Sequence, residues 1–584
     1  MHSTRPFLCV LNTPPAHPHV HGARRFRPDD LLFGVRPETQ PCRRLGCARD
    51  TCRHEFANLN WENMMCSEHF AEFNLVSELK RHAHSSPHNP ALTEAGRTTL
   101  TYAQLDADTD ALAQMLASAG IRPGDRVAIL DKSSALVART LVGAAKIGAV
   151  LLPLNWRLSG SELIPVLADA EPRFLIVHRD FDVSAAELGA PGPDRAEITG
   201  DQARSLLGED YRAWICTGDH ADAEPVHPDA VVLMYTSGST GTPKGVVLTH
   251  QNLGSTSHAG DSWALDDQSA FLCAMPMFHI GGLSGVLIGL HHGAHVVVVR
   301  DNQPGNILSA IADYRISHTF LVPTVIGMLL DHVSEHDADV RSLRCLVYGA
   351  SPSTPDLLRR AHAQFGPCLI QVYGLTETSG AITELLPDDH VISGALATRL
   401  RSAGRPYPWV QVRTADPFTG EHLPEGAIGE ILVRGPGVMV GYHRRPEETG
   451  RALSADGWLR TGDIGSVDAD GYLTISDRAK DMIITGGENV FPTEIEAVIA
   501  EHPAVKAVAV IGVAHPTWGE AVHAVVVVHT GHDADAETLR LFCRERLAGF
   551  KCPKAFEFRS ALPLGPTGKV SKPTLRTEAA AARR

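Results

Sequence analysis

The sequence predicts a layered, mostly parallel α/β fold. Two observations carry this. Short apolar runs recur along the chain, and amphipathic stretches of helical spacing lie between them. From about Val76 onward the two alternate in order. Residues 101–120 predict a helix, with Leu105, Leu112 and Leu116 on one face and Gly120 as the stop. Residues 127–130 predict a short strand. Ser133 or Ser134 caps the next helix, which runs to Gly148. A strand at 149–152, a helix through 162–168 and a strand at 174–177 follow, and similar units recur at 319–322 and 345–348. The runs 296–299 and 524–528 read as buried strands.

Composition fits this class. The chain has 584 residues, 43% hydrophobic and 21% charged, enough to bury a sizeable core in about four compact units or two large ones. Lys and Arg number 53 against 67 Asp and Glu, a net charge of −14, which makes nucleic acid a poor partner. No run approaches the roughly 18 apolar residues of a membrane span. The 11 cysteines are odd in number and do not suggest a disulfide framework, so a reducing cytoplasm is expected.

Residues 1–63 differ in character. They are rich in Arg and Pro, lack Lys, and sustain no helical or strand period. They are expected to be a disordered arm or an N-terminal extension from a start assigned too early. Cys42, Cys47, Cys52 and His54 lack the two-residue gap with which paired thiolates grip zinc.

The informative stretch is 235–250, Tyr-Thr-Ser-Gly-Ser-Thr-Gly-Thr-Pro-Lys-Gly-Val-Val-Leu-Thr-His, fed by the apolar run 230–234. Its glycines let backbone amides approach an anion, its hydroxyls add donors, and Lys244 adds a point charge suited to a polyphosphate. Pro243 before Lys244 distinguishes it from a Walker loop. This stretch resembles the phosphate loop of the AMP-forming adenylating family, which includes acyl-CoA synthetases, peptide-synthetase adenylation domains and luciferases. The resemblance runs from about residue 75 to 576.

The resemblance assigns roles residue by residue. Thr236, Ser237, Gly238, Ser239, Thr240, Gly241 and Lys244 would bind the ATP phosphates. In Gln371-Val-Tyr-Gly-Leu-Thr-Glu-Thr, the residues Gln371, Tyr373, Gly374 and Thr376 would line the nucleotide, and Glu377 with Thr236 would hold Mg²⁺. Read alone, Thr-Glu-Thr is equally a helix start with an acid in its first turn. The turn Gly349, Ala350, Ser351 follows an apolar run, where open α/β sheets bind ligands, and would lie along adenine. Read alone, it is a helix-entry turn. Asp463 would take the ribose hydroxyls, Arg478 the ribose or phosphate, and Lys480 would be the hinge. Gly486 and Gly487 would form the loop serving the second step, and Lys569 would bridge carboxylate and α-phosphate.

The implied organisation is a large adenylation domain at 64–477 and a small, mobile α+β lid domain at 478–584. The implied reaction is activation of a fatty or aryl carboxylic acid by ATP, followed by transfer to CoA. Delivery to a carrier protein is the alternative, and a non-catalytic nucleotide-binding scaffold is the rival from another class. Pro276-Met-Phe-His279-Ile-Gly281 resembles the segment flanking the acyl pocket. Val372 departs from the glycine that many long-chain and aryl members carry, so it is expected to narrow that pocket. A homodimer and peripheral membrane contact are both compatible with the family.

Overall fold

A computed structural model describes residues 73–181, 195–197, 205–216, 227–236, 243–335, 338–391, 399–478, 481–485, 488–564 and 570–581. Residues 1–63 lie outside these. The helix expected at 101–120 is Tyr102–Ser118. Thr101 caps it, accepting from Gln104 N while the Gln104 side chain accepts from Thr101 N. Leu105, Leu112 and Leu116 are fully buried. Of the two candidate serines, Ser134 is the cap of the helix Ala135–Lys146, and Ser133 instead donates to Met275 O at 3.0 Å. The helix ends at Lys146 rather than Gly148 because Gly148 adopts a φ of 69°.

Two large sheets organise the chain. One has eight strands, in the order Gly441–Tyr442, Lys244–Thr249, Ala230–Thr236, Val150–Leu154, Arg126–Leu130, Phe174–His178, Tyr211–Cys216, Arg195–Glu197. The other has nine, in the order Arg405–Pro406, Gly380–Leu385, Leu369–Leu375, Cys345–Gly349, His318–Leu321, Ala270–Cys273, His295–Val298, Pro90–Glu94, Thr99–Thr101. Interior pairs are parallel, as expected. The outer pairs are antiparallel, including Ala230–Thr236 with Lys244–Thr249 and Leu369–Leu375 with Gly380–Leu385. The two segments richest in expected site residues thus leave the parallel pattern.

Strand Cys345–Gly349 shows how the core sits. Cys345 and Val347 join an apolar cluster containing residues of both sheets and of the helices between them, whereas Leu346 and Tyr348 join a second cluster on the other face. Burial on both faces explains why these strands read as continuous apolar runs.

A four-stranded antiparallel sheet, Gln411–Ala415, Gly429–Arg434, Leu459–Val467, Leu473–Arg478, follows. The last sheet is built on the hairpin Val505–His515 with Gly519–Val528 and packs helices Pro492–Ala500, Ala536–Arg544 and Lys572–Ala581. No helix among the described residues is long and apolar enough to cross a membrane.

Candidate active site

The phosphate-loop sequence joins two antiparallel strands. Thr236 and Lys244 face each other across the ladder, so the two flanking strands pair antiparallel. Tyr235, just before it, donates its hydroxyl to Asp169 Oδ2 at 2.6 Å, and Arg445 pairs with the same carboxylate at 3.2 Å. Burial first, and then Asp169, push the Tyr235 phenol well up, so it stays a donor. The base of the loop is therefore pinned from behind.

Glu377 sits in the 3₁₀ turn Thr376–Thr378 after strand Leu369–Leu375, not at an α-helix start. Thr378 Oγ1 accepts from Leu375 N at 2.9 Å, and Ser379 Oγ donates to Gly437 O at 2.8 Å. Met439 N donates to Glu377 O at 2.9 Å. The segment 437–439 thereby backs the turn, and Tyr442 arrives beside it. The Tyr442 hydroxyl donates to Glu377 Oε1 at 2.9 Å, and Lys244 Nζ lies 5.1 Å from the centre of the same ring. Tyr442 links the expected phosphate-binding lysine to the expected metal-binding carboxylate. Burial and Glu377 raise its phenol, which keeps it protonated and donating.

Sequence reasoning missed Tyr442. Its two partners lie 65 and 198 residues upstream, and a lone tyrosine in a polar stretch carries no local signal. If Glu377 holds Mg²⁺ as expected, Tyr442→Phe should raise the Mg²⁺ concentration needed for half-maximal activity about 10-fold, the scale of one hydrogen bond to a charged group. It should do so without displacing Lys244, because the ring remains. Tyr442→Leu should additionally raise the KM for ATP. Equal Mg²⁺ titrations for wild type and Tyr442→Phe would show that the contact positions nothing.

Tyr373 and Asp463 also meet. The tyrosine hydroxyl donates to Asp463 Oδ2 at 2.7 Å, and Asp463 is 3% exposed. Arg478 stands opposite Asp463 in the ladder between Leu459–Val467 and Leu473–Arg478. An aromatic ring thus meets a carboxylate 90 residues downstream and an arginine backbone position 105 residues downstream. Gln371 lies beside Tyr348, whose hydroxyl is 3.3 Å from Gln371 Oε1 and 3.0 Å from His390 Nε2.

The turn after Cys345–Gly349 places Ala350 at a φ of 65°, uncommon for a residue with a side chain, and leads toward helix Pro355–Phe365. A side chain on Gly349 would meet Val372 O at 2.3 Å, so strand packing alone demands that glycine. Val372 is 9% exposed and shares an apolar cluster with Ile280 and Val347. Its Cγ2 lies 3.1 Å from where a Cβ on Gly349 would stand. His279 caps helix Ile280–His292 without a side-chain capping bond, and its ring centre lies 4.3 Å from that of Phe278. At Gly281 a Cβ would stand 2.9 Å from Phe320.

Ser237, Gly238, Ser239, Thr240, Gly241, Lys480, Gly486, Gly487 and Lys569 lie outside the described residues. Their surroundings are described in part. Leu564 and Val570 form an antiparallel bridge, and Ser571 N donates to Pro563 O at 2.8 Å, so both ends of the Lys569 segment are tied. The helix Lys572–Ala581 is fastened by Lys572 to Glu496 and by Arg576 to Asp481, each at 2.9 Å.

The family model for the AMP-binding enzyme matches residues 79–443, and that for its C-terminal domain matches 494–569. The feruloyl-CoA synthase of an Amycolatopsis species is 40% identical over 85% of this chain and 97% of its own length. The fatty acid–[acyl-carrier-protein] ligase ScoC of Streptomyces coeruleorubidus is 38% identical over 86% and 96%. The crystal structure of ATP-bound MatB from Rhodopseudomonas palustris superposes with a TM-score of 0.76 at 32% identity, covering 88% of this chain and 99% of that one. Matches of this extent, on a fold that brings separate motifs together, place the chain in the AMP-forming adenylating family.

Proposed function

We propose that this protein activates a carboxylic acid with ATP and transfers the acyl group to the thiol of CoA. The first step forms a bond between the carboxylate oxygen and the α-phosphorus and releases pyrophosphate. In the second the thiol sulfur attacks the acyl carbon, and AMP leaves. The carrying observation is the Lys244–Tyr442–Glu377 assembly, a cation and a carboxylate held through one side chain at the base of a glycine- and serine-rich hairpin.

Thr236 and Glu377 are hard oxygen donors and would hold Mg²⁺, with the Tyr442 hydroxyl positioning the carboxylate through Oε1. Bound there, Mg²⁺ would neutralise charge on the phosphates. Lys244 would add a second positive charge to the same end. Tyr373 would stack on the base and orient Asp463 for the ribose hydroxyls. Lys569 would enter where carboxylate meets α-phosphate.

The small C-terminal domain would then turn about Lys480, withdrawing Lys569 and presenting the Gly486-Gly487 loop. Thr493 N donates to Asp477 at 2.9 Å across the hinge position, and the turn would have to exchange that bond. The buried thiols Cys273, Cys345, Cys368, Cys543 and Cys552 are unbridged, in keeping with a cytoplasmic enzyme.

The test is incubation with ATP, Mg²⁺, CoA and a panel of straight-chain, branched and aryl acids, reading pyrophosphate, AMP and thioester. A phosphopantetheinylated carrier protein offered against CoA decides the acceptor, which the two kinds of named relative leave as alternatives. No pyrophosphate release with any acid would overturn the proposal in favour of a nucleotide-binding scaffold.

Val372 is proposed to limit chain length. Its methyls fill volume that glycine would leave open beside Gly349, within the apolar cluster that also holds Ile280. A methylene mismatch in an apolar pocket is worth about 1–3 kcal/mol. Val372→Gly should therefore raise kcat/KM for long acids relative to short ones about 10-fold or more, with the KM for ATP nearly unchanged. If the wild type already uses a sixteen-carbon acid as well as an eight-carbon one, the side chain does not face the substrate.

A further inference from the structure

We propose that His258, Asp261 and His291 bind a first-row transition-metal ion of the Zn²⁺ class, at the end of helix Ile280–His292 remote from His279. One donor atom from each of the three lies within 4.8 Å of the others. Helix His250–Ser257 ends at His258, the short helix Ala259–Ser262 begins there, and Asp261 falls three residues on, facing the same way. His258 Nδ1 is 3.0 Å from Asp261 Oδ2. His291 comes from the last turn of helix Ile280–His292, with its ring centre 4.5 Å from that of His258 at 66°.

Two of the three donors are oriented by a further group. Glu78, on helix Leu75–Ser85, accepts from His291 Nδ1 at 3.0 Å, which leaves the Nε2 lone pair of His291 for a metal. Glu78 is itself held by Arg81. Asp261 Oδ1 is 2.9 Å from His292 Nε2, while His292 Nδ1 is 2.9 Å from Ile288 O. His292 therefore holds Asp261 through Oδ1 and leaves Oδ2 facing His258. This is the arrangement of a metal site, in which ligating imidazoles and carboxylates are hydrogen-bonded from outside.

Exposure and chemistry suit the assignment. The His258 and His291 side chains are 14% and 15% exposed, but Asp261 is 57% exposed, so the cluster opens to water on the carboxylate side. That opening gives an entry path and room for water as fourth ligand. Two imidazoles with one carboxylate suit Zn²⁺, Co²⁺ or Ni²⁺ better than Mg²⁺ or Ca²⁺. The last-turn carbonyls of helix Ile280–His292 favour a cation there. Tetrahedral zinc at about 2.1 Å from each donor needs donors about 3.4 Å apart, a closure of under about 1 Å per side chain. The site lies about 18 Å along the helix from His279, so its ion would clamp three helical segments and take no part in adenylation.

The full chain, stripped with a chelator, is titrated with Zn²⁺ in competition with a chromophoric chelator, and then with Co²⁺ under visible spectroscopy. The wild type should bind one tight ion per chain, show an intense tetrahedral cobalt spectrum without a sulfur charge-transfer band, and gain Tm with Zn²⁺. His258→Gln combined with His291→Gln should lose that ion and both signals, with metal-free turnover unchanged. Asp261→Asn, at the exposed end of the cluster, should weaken binding at least about 10-fold with its metal-free Tm within a few degrees of the wild type. The same stoichiometry and Tm gain in the double variant, a sulfur band that puts the ion on cysteines, or no tight ion in the wild type would overturn the proposal.

Discussion

Lys569→Ala should slow acyl-adenylate formation by about 10²–10³-fold, the scale of removing one preorganised charge donor from a transition state. It should leave thioester formation from a supplied adenylate within a few-fold of wild type. The reasoning begins with repulsion. A carboxylate must approach a phosphorus that already carries anionic oxygens, and two like charges 4 Å apart near a protein surface repel by roughly 4 kcal/mol. Lys244 belongs to the hairpin at the phosphate end, where its ammonium lies over Tyr442. A second cation is needed where carboxylate and α-phosphate meet. Lys569 is proposed for that place, and its segment is flanked by the Leu564–Val570 bridge and the helix Lys572–Ala581.

The thiol step has a different need. The adenylate is uncharged at the acyl carbon, and the incoming thiol requires room where the lysine had been. The two half-reactions should therefore separate, with pyrophosphate release collapsing and adenylate-plus-CoA turnover persisting. A stopped assay for each half-reaction decides it. If both rates fall equally, Lys569 does not leave between steps, and the proposed turn about Lys480 is wrong.

Much of the fold was legible because parallel strands buried on both faces advertise themselves as apolar runs. Strand Arg126–Leu130 begins one residue before the expected run, and strand Cys345–Gly349 runs one residue past it. What the runs could not reveal was strand direction. Thr236 and Lys244 belong to an antiparallel hairpin because the loop between them is too short for the crossover that parallel strands need. Periodicity in Ala230–Thr236 carries no trace of that.

The site was legible in its motifs but not in its second partners. Glu377 and Lys244 stand out as residue types in an unusual setting, whereas Tyr442 joins them only through tertiary packing. Asp169, Tyr235 and Arg445 share this invisibility, each ordinary in sequence and meaningful only where three segments meet. The His258, Asp261 and His291 cluster is the extreme case. Its i, i+3 half is readable along the chain, but the other half comes from a helix 30 residues on.

Gly374→Ala should destabilise the protein by about 3 kcal/mol or more, at the top of the range for overpacking, although the substitution adds one methyl group. The family motif suggests that this glycine admits the nucleotide. The geometry gives a prior reason for it. Strand Leu369–Leu375 pairs with Gly380–Leu385 through an irregularity between Tyr373 and Gly374, and a Cβ at Gly374 would lie 1.8 Å from Gly380 O and 2.5 Å from its carbonyl carbon. Those atoms are backbone, so no side-chain rotation relieves the clash, and the two strands would have to part. The same hairpin carries Gln371, Tyr373, Thr376 and Glu377, so parting it displaces the aromatic ring and the carboxylate together. Two readings therefore diverge in measurable ways. A glycine kept for strand contact gives a lower Tm and a fall in activity with every acid and at every ATP concentration. A glycine kept for nucleotide approach gives an unchanged Tm and a raised KM for ATP alone. Thermal unfolding of Gly374→Ala without ligand, beside its ATP saturation curve, separates them. An unaltered melting curve would mean that the strands have more freedom at this bulge than a 1.8 Å approach allows.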